Sequence, residues 1–162
     1  MGVESHLVIS ESAEKTLTLE TDHDIKYIRS LASHLHSIRN MAASIASGSF
    51  ETEGMAIVPC SMKTLAGISS GYSDSLILRA ADVCIKEKRR LVLVTRETPL
   101  SPIHLENMLK LARIGVCILP PSPPFYSKPK TIDDLVNHIV GRVLDAFCIE
   151  HHLYKRWGSK RS

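Results

Sequence analysis

Four short runs of this chain, HLVIS (6–10), MAIVP (55–59), LVLVT (91–95) and VCILP (116–120), read as strands, and LVLVT is apolar without alternation. A strand with one wet face alternates apolar and polar side chains, whereas an unbroken apolar run needs cover on both faces. Helical segments separate these runs. ESAEKTLTLET follows the first, with Ser10 placed to cap it, and SMKTLAGI follows the second. DSLILRAADVCIKEKR carries apolar residues at helical spacing and basic residues in its last turn, where the helix dipole favours cations. In SPIHLENMLKLARIG, Ser101 stands as cap, Pro102 in the first turn and Gly115 as terminator. After the fourth strand come a proline-rich loop, PPSPPFYSKPK, and a long closing helix, TIDDLVNHIVGRVLDAFCI. Strands alternating with helices imply an α/β fold, a parallel sheet with helices on both faces. The expected organisation is one domain over 1–148 and a polar, basic tail over 149–162.

Bulk properties exclude several functions. A hydrophobic fraction of 44% and a charged fraction of 23% describe an ordinary globular domain. The net charge of +3, from 20 basic and 17 acidic residues, is too small to argue for nucleic acid. No apolar run is long enough to span a bilayer, and MGVESHLVIS lacks the pattern of a signal peptide, so the expected address is the cytoplasm. The four cysteines, Cys60, Cys84, Cys117 and Cys148, form no CxxC pair and sit in apolar contexts, which reads as packing. The histidines of HLH (34–36) and HH (151–152) read as solvated, because neighbours at that spacing diverge on a helix. No metal is expected.

In a doubly wound sheet ligands bind at the carboxyl ends of the strands. That places Ser10, the CSMKT segment (60–64), TRETP (95–99) and the PPFY loop on one rim. A helix starting directly after a strand offers unpaired N–H groups and a positive dipole end. Ser61 and Thr64 add hydroxyls and Lys63 a charge, a set suited to a phosphate or an electron-rich ring edge. Taken singly each residue has a plainer reading: Ser61 a cap, Arg96 and Glu97 a surface ion pair, Tyr126 a packing residue, Arg142 part of a solvated helix face. Their convergence on one rim favours the ligand.

The run from PCSMKTLAGISSGYSDS through RAADV, VTRETPLSPIHLENM and PPSPPFY (59–126), with ASGSF before it and RWG after it, resembles the UbiX family of flavin prenyltransferases. That family includes the small proteins linked to non-oxidative aromatic-acid decarboxylases. The resemblance implies a flavodoxin-like three-layer α/β/α fold. It also implies transfer of a dimethylallyl group from dimethylallyl phosphate to reduced FMN, without a metal. The product, prenylated FMN, would serve a partner UbiD-type decarboxylase, and the protein would be a homo-oligomer, trimer or dodecamer. Carried over by position, Ser10, Ser61, Met62, Lys63, Thr64 and Arg96 would contact FMN. Tyr126, Arg142 and Lys86 would hold the prenyl phosphate, Trp157 would be an aromatic near the substrate, and Glu20 and Glu97 would be the catalytic carboxylates. Without the resemblance Lys86 reads as a helix-end cation.

The chain departs from the family pattern in one respect. Family members open with a strand and a GxTGA or GxSGA turn; none of the eight glycines here forms one, and the chain opens at what corresponds to the second strand. The first strand and helix of the family are therefore expected to be missing. That departure predicts weak FMN binding and little or no prenyltransferase activity by these 162 residues. The competing readings are a non-catalytic flavin-binding subunit of a decarboxylase system and a flavin-dependent decarboxylase.

Overall fold

In a computed structural model, residues 2–156 and 158 are described. Five strands form two sheets, both parallel. β1 (His6–Val8) pairs with β2 (His34–His36), and β3 (Gly54–Cys60), β4 (Arg90–Thr95) and β5 (Cys117–Ile118) form a second sheet in the order β3-β4-β5. No ladder joins the two sheets among the described residues. Among the described residues there are six α-helices: α1 (Glu11–Glu20), α2 (Ile25–Ser30), α3 (Met62–Ser70), α4 (Leu76–Lys86), α5 (Pro102–Arg113) and α6 (Ile132–Ala146). None is long and apolar enough to cross a membrane.

β4 lies at the centre of the core. Leu91, Val92, Leu93, Val94 and Thr95 are all buried, as the unbroken apolar run requires. Cys60, Leu65, Ile68, Leu78, Ala81, Cys84, Leu111 and Val116 pack with Leu91 and Leu93 into one cluster. Pro59 has no N–H to donate, and the β3–β4 register slips between Ile57 and Cys60 before pairing resumes at Cys60 and Thr95. The carboxyl ends of β3 and β4 therefore finish level.

The helix boundaries follow their capping residues. The Ser61 hydroxyl accepts from the Thr64 N–H at 3.2 Å, and Gly71, at φ +71°, closes α3 in the left-handed region where a Cβ is strained. Ser101 and His104 cap α5 reciprocally, as Thr131 and Asp134 cap α6. Helix α4 forms the seam between the two sheets. The Leu76 N–H donates to the Ile38 carbonyl at 2.8 Å, Arg79 Nε to Ala46 O at 3.1 Å, and its buried Leu76 packs on Ala43 and Ala46. Just beyond it, the Arg89 guanidinium donates to the carbonyls of Phe50 and Gly48 at 2.7 and 2.6 Å.

Three expectations change. HLH is a strand, not part of a helix, so its two histidines share a face. The last strand is Cys117–Ile118 and ends before Pro120 and Pro121. Cys148 is exposed rather than packed, because it follows the end of α6 at φ 57° in a turn at the surface.

Candidate functional site

The first group of candidate residues stands where β3 and β4 end. Cys60 and Thr95 are ladder partners, so Ser61 and Arg96, one residue further on, leave the sheet side by side. The Ser61 and Thr64 hydroxyls lie 3.1 Å apart at the N-terminus of α3, with exposed Lys63 between them in sequence. The adjoining Thr95 hydroxyl is buried and has no hydrogen-bond partner. A buried hydroxyl left unpaired costs about 1–3 kcal/mol, so a polar ligand atom at this corner would relieve a standing penalty. Arg96 and Glu97 are exposed, and Glu97 Oε1 accepts from the Thr98 N–H at 3.1 Å. Cys60 is fully buried, and burial pushes its thiol up to about 12, which leaves it protonated and unreactive. Its reading as a packing residue matches its place in the core.

The second group lies between the proline-rich loop, α6 and the tail. A cleft of about 250 Å³ is walled by Tyr126, Lys128, Lys130, His138, Tyr154 and Lys155, among others. Arg142, on α6, borders it through Tyr154. Its guanidinium is held above its usual range first by a hydrogen bond with the Tyr154 oxygen and then, against some desolvation, by Asp145, which it meets at 3.2 Å. His138 is pushed down by burial and by the neighbouring Arg142 charge.

Asp145 organises the tail. Burial opposes its ionisation, but donors from Arg156, Tyr154 and His151 outweigh that and hold the carboxyl well below the usual range. The His151 contact is 3.0 Å. Gly141 allows this docking: a Cβ there would come within 2.5 Å of the Tyr154 ring and 2.7 Å of the His151 ring. The described part of the tail is therefore strapped onto α6 through His151, Tyr154 and Arg156. Tyr154, Asp145, His138 and Lys128 went unread in the sequence. The visible signal for them was one tyrosine inside the charged run HHLYKR, downstream of an unusual helical glycine.

The remaining candidates lie elsewhere. Ser10 caps α1 at the end of β1, in the other sheet, where its hydroxyl accepts from the Ala13 N–H at 3.1 Å. Glu20 is exposed at the far end of α1, about 15 Å along a ten-residue helix from Ser10. Lys86 ends α4 next to its ion-pair partner Glu87, before β4 begins and thus at the opposite edge of the sheet from Arg96. Trp157 lies outside the described residues.

The similarities to known proteins are extensive. The flavoprotein family model matches residues 1–144. A probable UbiX-like flavin prenyltransferase of Escherichia coli O157:H7 is 56% identical over 156 residues, 96% of this chain and 79% of that protein. The crystal structure of a dodecameric FMN-dependent UbiX-like decarboxylase from the same organism superposes with a TM-score of 0.94 at 55% identity, covering 96% of this chain and 84% of that one. The structure of AnUbiX (PadA1) in complex with FMN and dimethylallyl pyrophosphate superposes with a TM-score of 0.95 at 53% identity, covering 98% and 85%. The chain belongs to the flavoprotein family and, within it, to the UbiX-like flavin prenyltransferases.

Proposed function

We propose that this chain is a flavin prenyltransferase, moving a dimethylallyl group from dimethylallyl phosphate onto reduced FMN for delivery to a UbiD-type decarboxylase. The observation that carries this reading is the likeness, over 98% of the chain, to a structure holding both FMN and a dimethylallyl phosphoester. The residues at the strand ends fit a flavin mononucleotide: two hydroxyls, free helix N–H groups, the unpaired Thr95 hydroxyl and a guanidinium. When bound, FMN supplies the electron-rich ring that accepts the allyl group.

The roles of the chain's own residues follow from their chemistry. Ser61, Met62, Lys63 and Thr64, at the N-terminus of α3, with Arg96 and Ser10, hold polar edges and phosphate of the flavin. Tyr126 and Arg142 face the departing phosphate, where donors aimed at developing charge lower the barrier. Lys128, Lys130 and Lys155 add positive charge around the same cleft. Glu97 and Glu20 are the carboxylates that accept the proton lost on ring closure. Lys86 and Glu20 stand away from both groups within one chain, which supports a site completed by a second copy in a homo-oligomer. Trp157 is assigned to the prenyl substrate by its position in the sequence alone. Residues 1–148 act as one flavin-binding domain with 149–162 as its tail, and the cytoplasm is the compartment where substrate and partner meet.

Anaerobic mixing of the protein with reduced FMN and dimethylallyl phosphate, followed by mass spectrometry of the extracted flavin, tests the reading. A flavin heavier by one five-carbon unit is expected, and one event per chain is enough to score it. Recovery of unmodified flavin alone, with both ligands shown to be bound, would overturn it.

A further inference from the structure

The second face of the β1–β2 sheet carries chemistry that flavin prenylation does not use. In the parallel ladder His6 stands opposite His34, and Val8 opposite His36. Residues 34 and 36 point to one face of the strand, so three imidazoles gather there. The His6 ring stacks on His34 at 4.5 Å and on His36 at 5.2 Å between centroids, with the Phe50 edge 5.3 Å away as an apolar wall. His6 Nδ1 and His36 Nε2 are 2.9 Å apart, and His34 Nε2 and Glu4 Oε1 are 2.6 Å apart. One ligand atom from each of Glu4, His6 and His34 lies within 4.8 Å of the others.

We propose that Glu4, His6, His34 and His36 form a structural site for a divalent late transition-metal ion, best fitted to zinc. Three imidazole nitrogens and one carboxylate oxygen are a tetrahedral donor set of borderline softness, with no thiolate to draw it toward copper(I) or an iron–sulfur cluster. With metal–ligand bonds of about 2.0–2.1 Å, tetrahedral ligand atoms sit roughly 3.4 Å apart. The hydrogen-bonded Glu4–His34 pair opens by less than about 1 Å to reach that spacing, and the other ligand atoms of the Glu4–His6–His34 group close by at most about 1.4 Å. His36, 2.9 Å from His6 but outside that group, turns in as the fourth ligand. Glu4 and His34 are exposed, so an ion has an open path. Three stacked imidazoles repel one another when protonated, whereas one cation satisfies their lone pairs together. The ion would clip β1 to β2 and thereby steady Ser10, two residues beyond β1.

The test uses the whole chain stripped with a chelator, titrated with Zn2+ and, separately, with Co2+. One equivalent of Zn2+ per chain at micromolar or tighter affinity is expected, with Co2+ giving the intense visible absorption of a tetrahedral site and Zn2+ raising the melting temperature. His34→Gln and Glu4→Gln, both at exposed positions, should each weaken Zn2+ at least tenfold, and His6→Gln with His34→Gln should abolish binding. Cys148→Ser and His152→Ala should leave it unchanged. Circular dichroism and the metal-free melting temperature show whether each variant is folded. Binding well below one equivalent, or Zn2+ affinity in a folded His6→Gln/His34→Gln protein equal to that of the parent, would overturn the proposal.

Discussion

The two sheets of this molecule are built on different physics. In β3-β4-β5 the central strand is buried along five consecutive residues and a ten-residue apolar cluster surrounds it. In β1–β2 every residue is partly or largely exposed, and the nearby buried cluster holds only Ala43, Ala46 and Leu76. One half is held by burial, at about 25 cal/mol per Å² of apolar surface. The other is held by polar contacts: the His6–His36 and Glu4–His34 pairs, and α4 reaching across with Leu76, Arg79 and, beyond it, Arg89. The buried sheet sets the level ends of β3 and β4, the corner proposed for the flavin; the polar sheet is the adaptable one.

Truncations in the two sheets should differ most. Leu93→Ala, in fully buried β4, should lose about 2–5 kcal/mol by denaturant unfolding. Leu35→Ala, 51% exposed at the matching place in β2, should change stability by no more than about 0.5 kcal/mol. Equal losses would erase the distinction. Gly141→Ala comes next. Its methyl group cannot coexist with the Tyr154 and His151 rings as placed, so the tail should lift from α6 at a cost of about 1–3 kcal/mol, detected as faster proteolysis after α6. Unchanged proteolysis would mean the strap is not held there.

Helix caps sharpen the comparison further. Ser61→Ala removes the cap of α3, which buries Leu65, Ile68 and Ser69, and should cost about 0.5–2 kcal/mol. Ser10→Ala does the same to α1, which buries nothing, and should fall at or below the lower end of that range. The smallest effect is with acid. Asp145 is depressed in the folded state, so its contribution is complete above about pH 4 and fades as pH falls below that. Melting temperature should therefore drop less steeply between pH 4 and pH 2 in Asp145→Asn than in the parent, and parallel curves would remove Asp145 from the account.

The sequence made the buried half legible because its signals are local. LVLVT has no alternation, Ser101-Pro102 opens a helix, and Gly115 ends one. Within the polar half, β1 and the Ser10 cap could be read, but β2 was hidden for a related reason. His34-Leu-His36 carries no apolar period, and the three-residue strand exists through its ladder with β1, followed by the Leu76 N–H bond to Ile38 just beyond it, neither of which is local. Of the site, the Ser61–Thr64 corner could be read, since a cap following a strand is itself a local pattern. The Arg142–Tyr154–Asp145 cluster could not, because it forms only when the tail folds back over Gly141.

The central claim is a division of labour: the corner at the ends of β3 and β4 holds the flavin, and the cleft between the proline-rich loop, α6 and the tail holds the prenyl phosphate. Calorimetric titration of Arg96→Ala and Arg142→Ala with FMN and with dimethylallyl phosphate tests it directly. Arg96→Ala should weaken FMN by about 1.5–3 kcal/mol and spare dimethylallyl phosphate, while Arg142→Ala should do the reverse by a similar amount. Equal losses for both ligands in either variant would contradict the account.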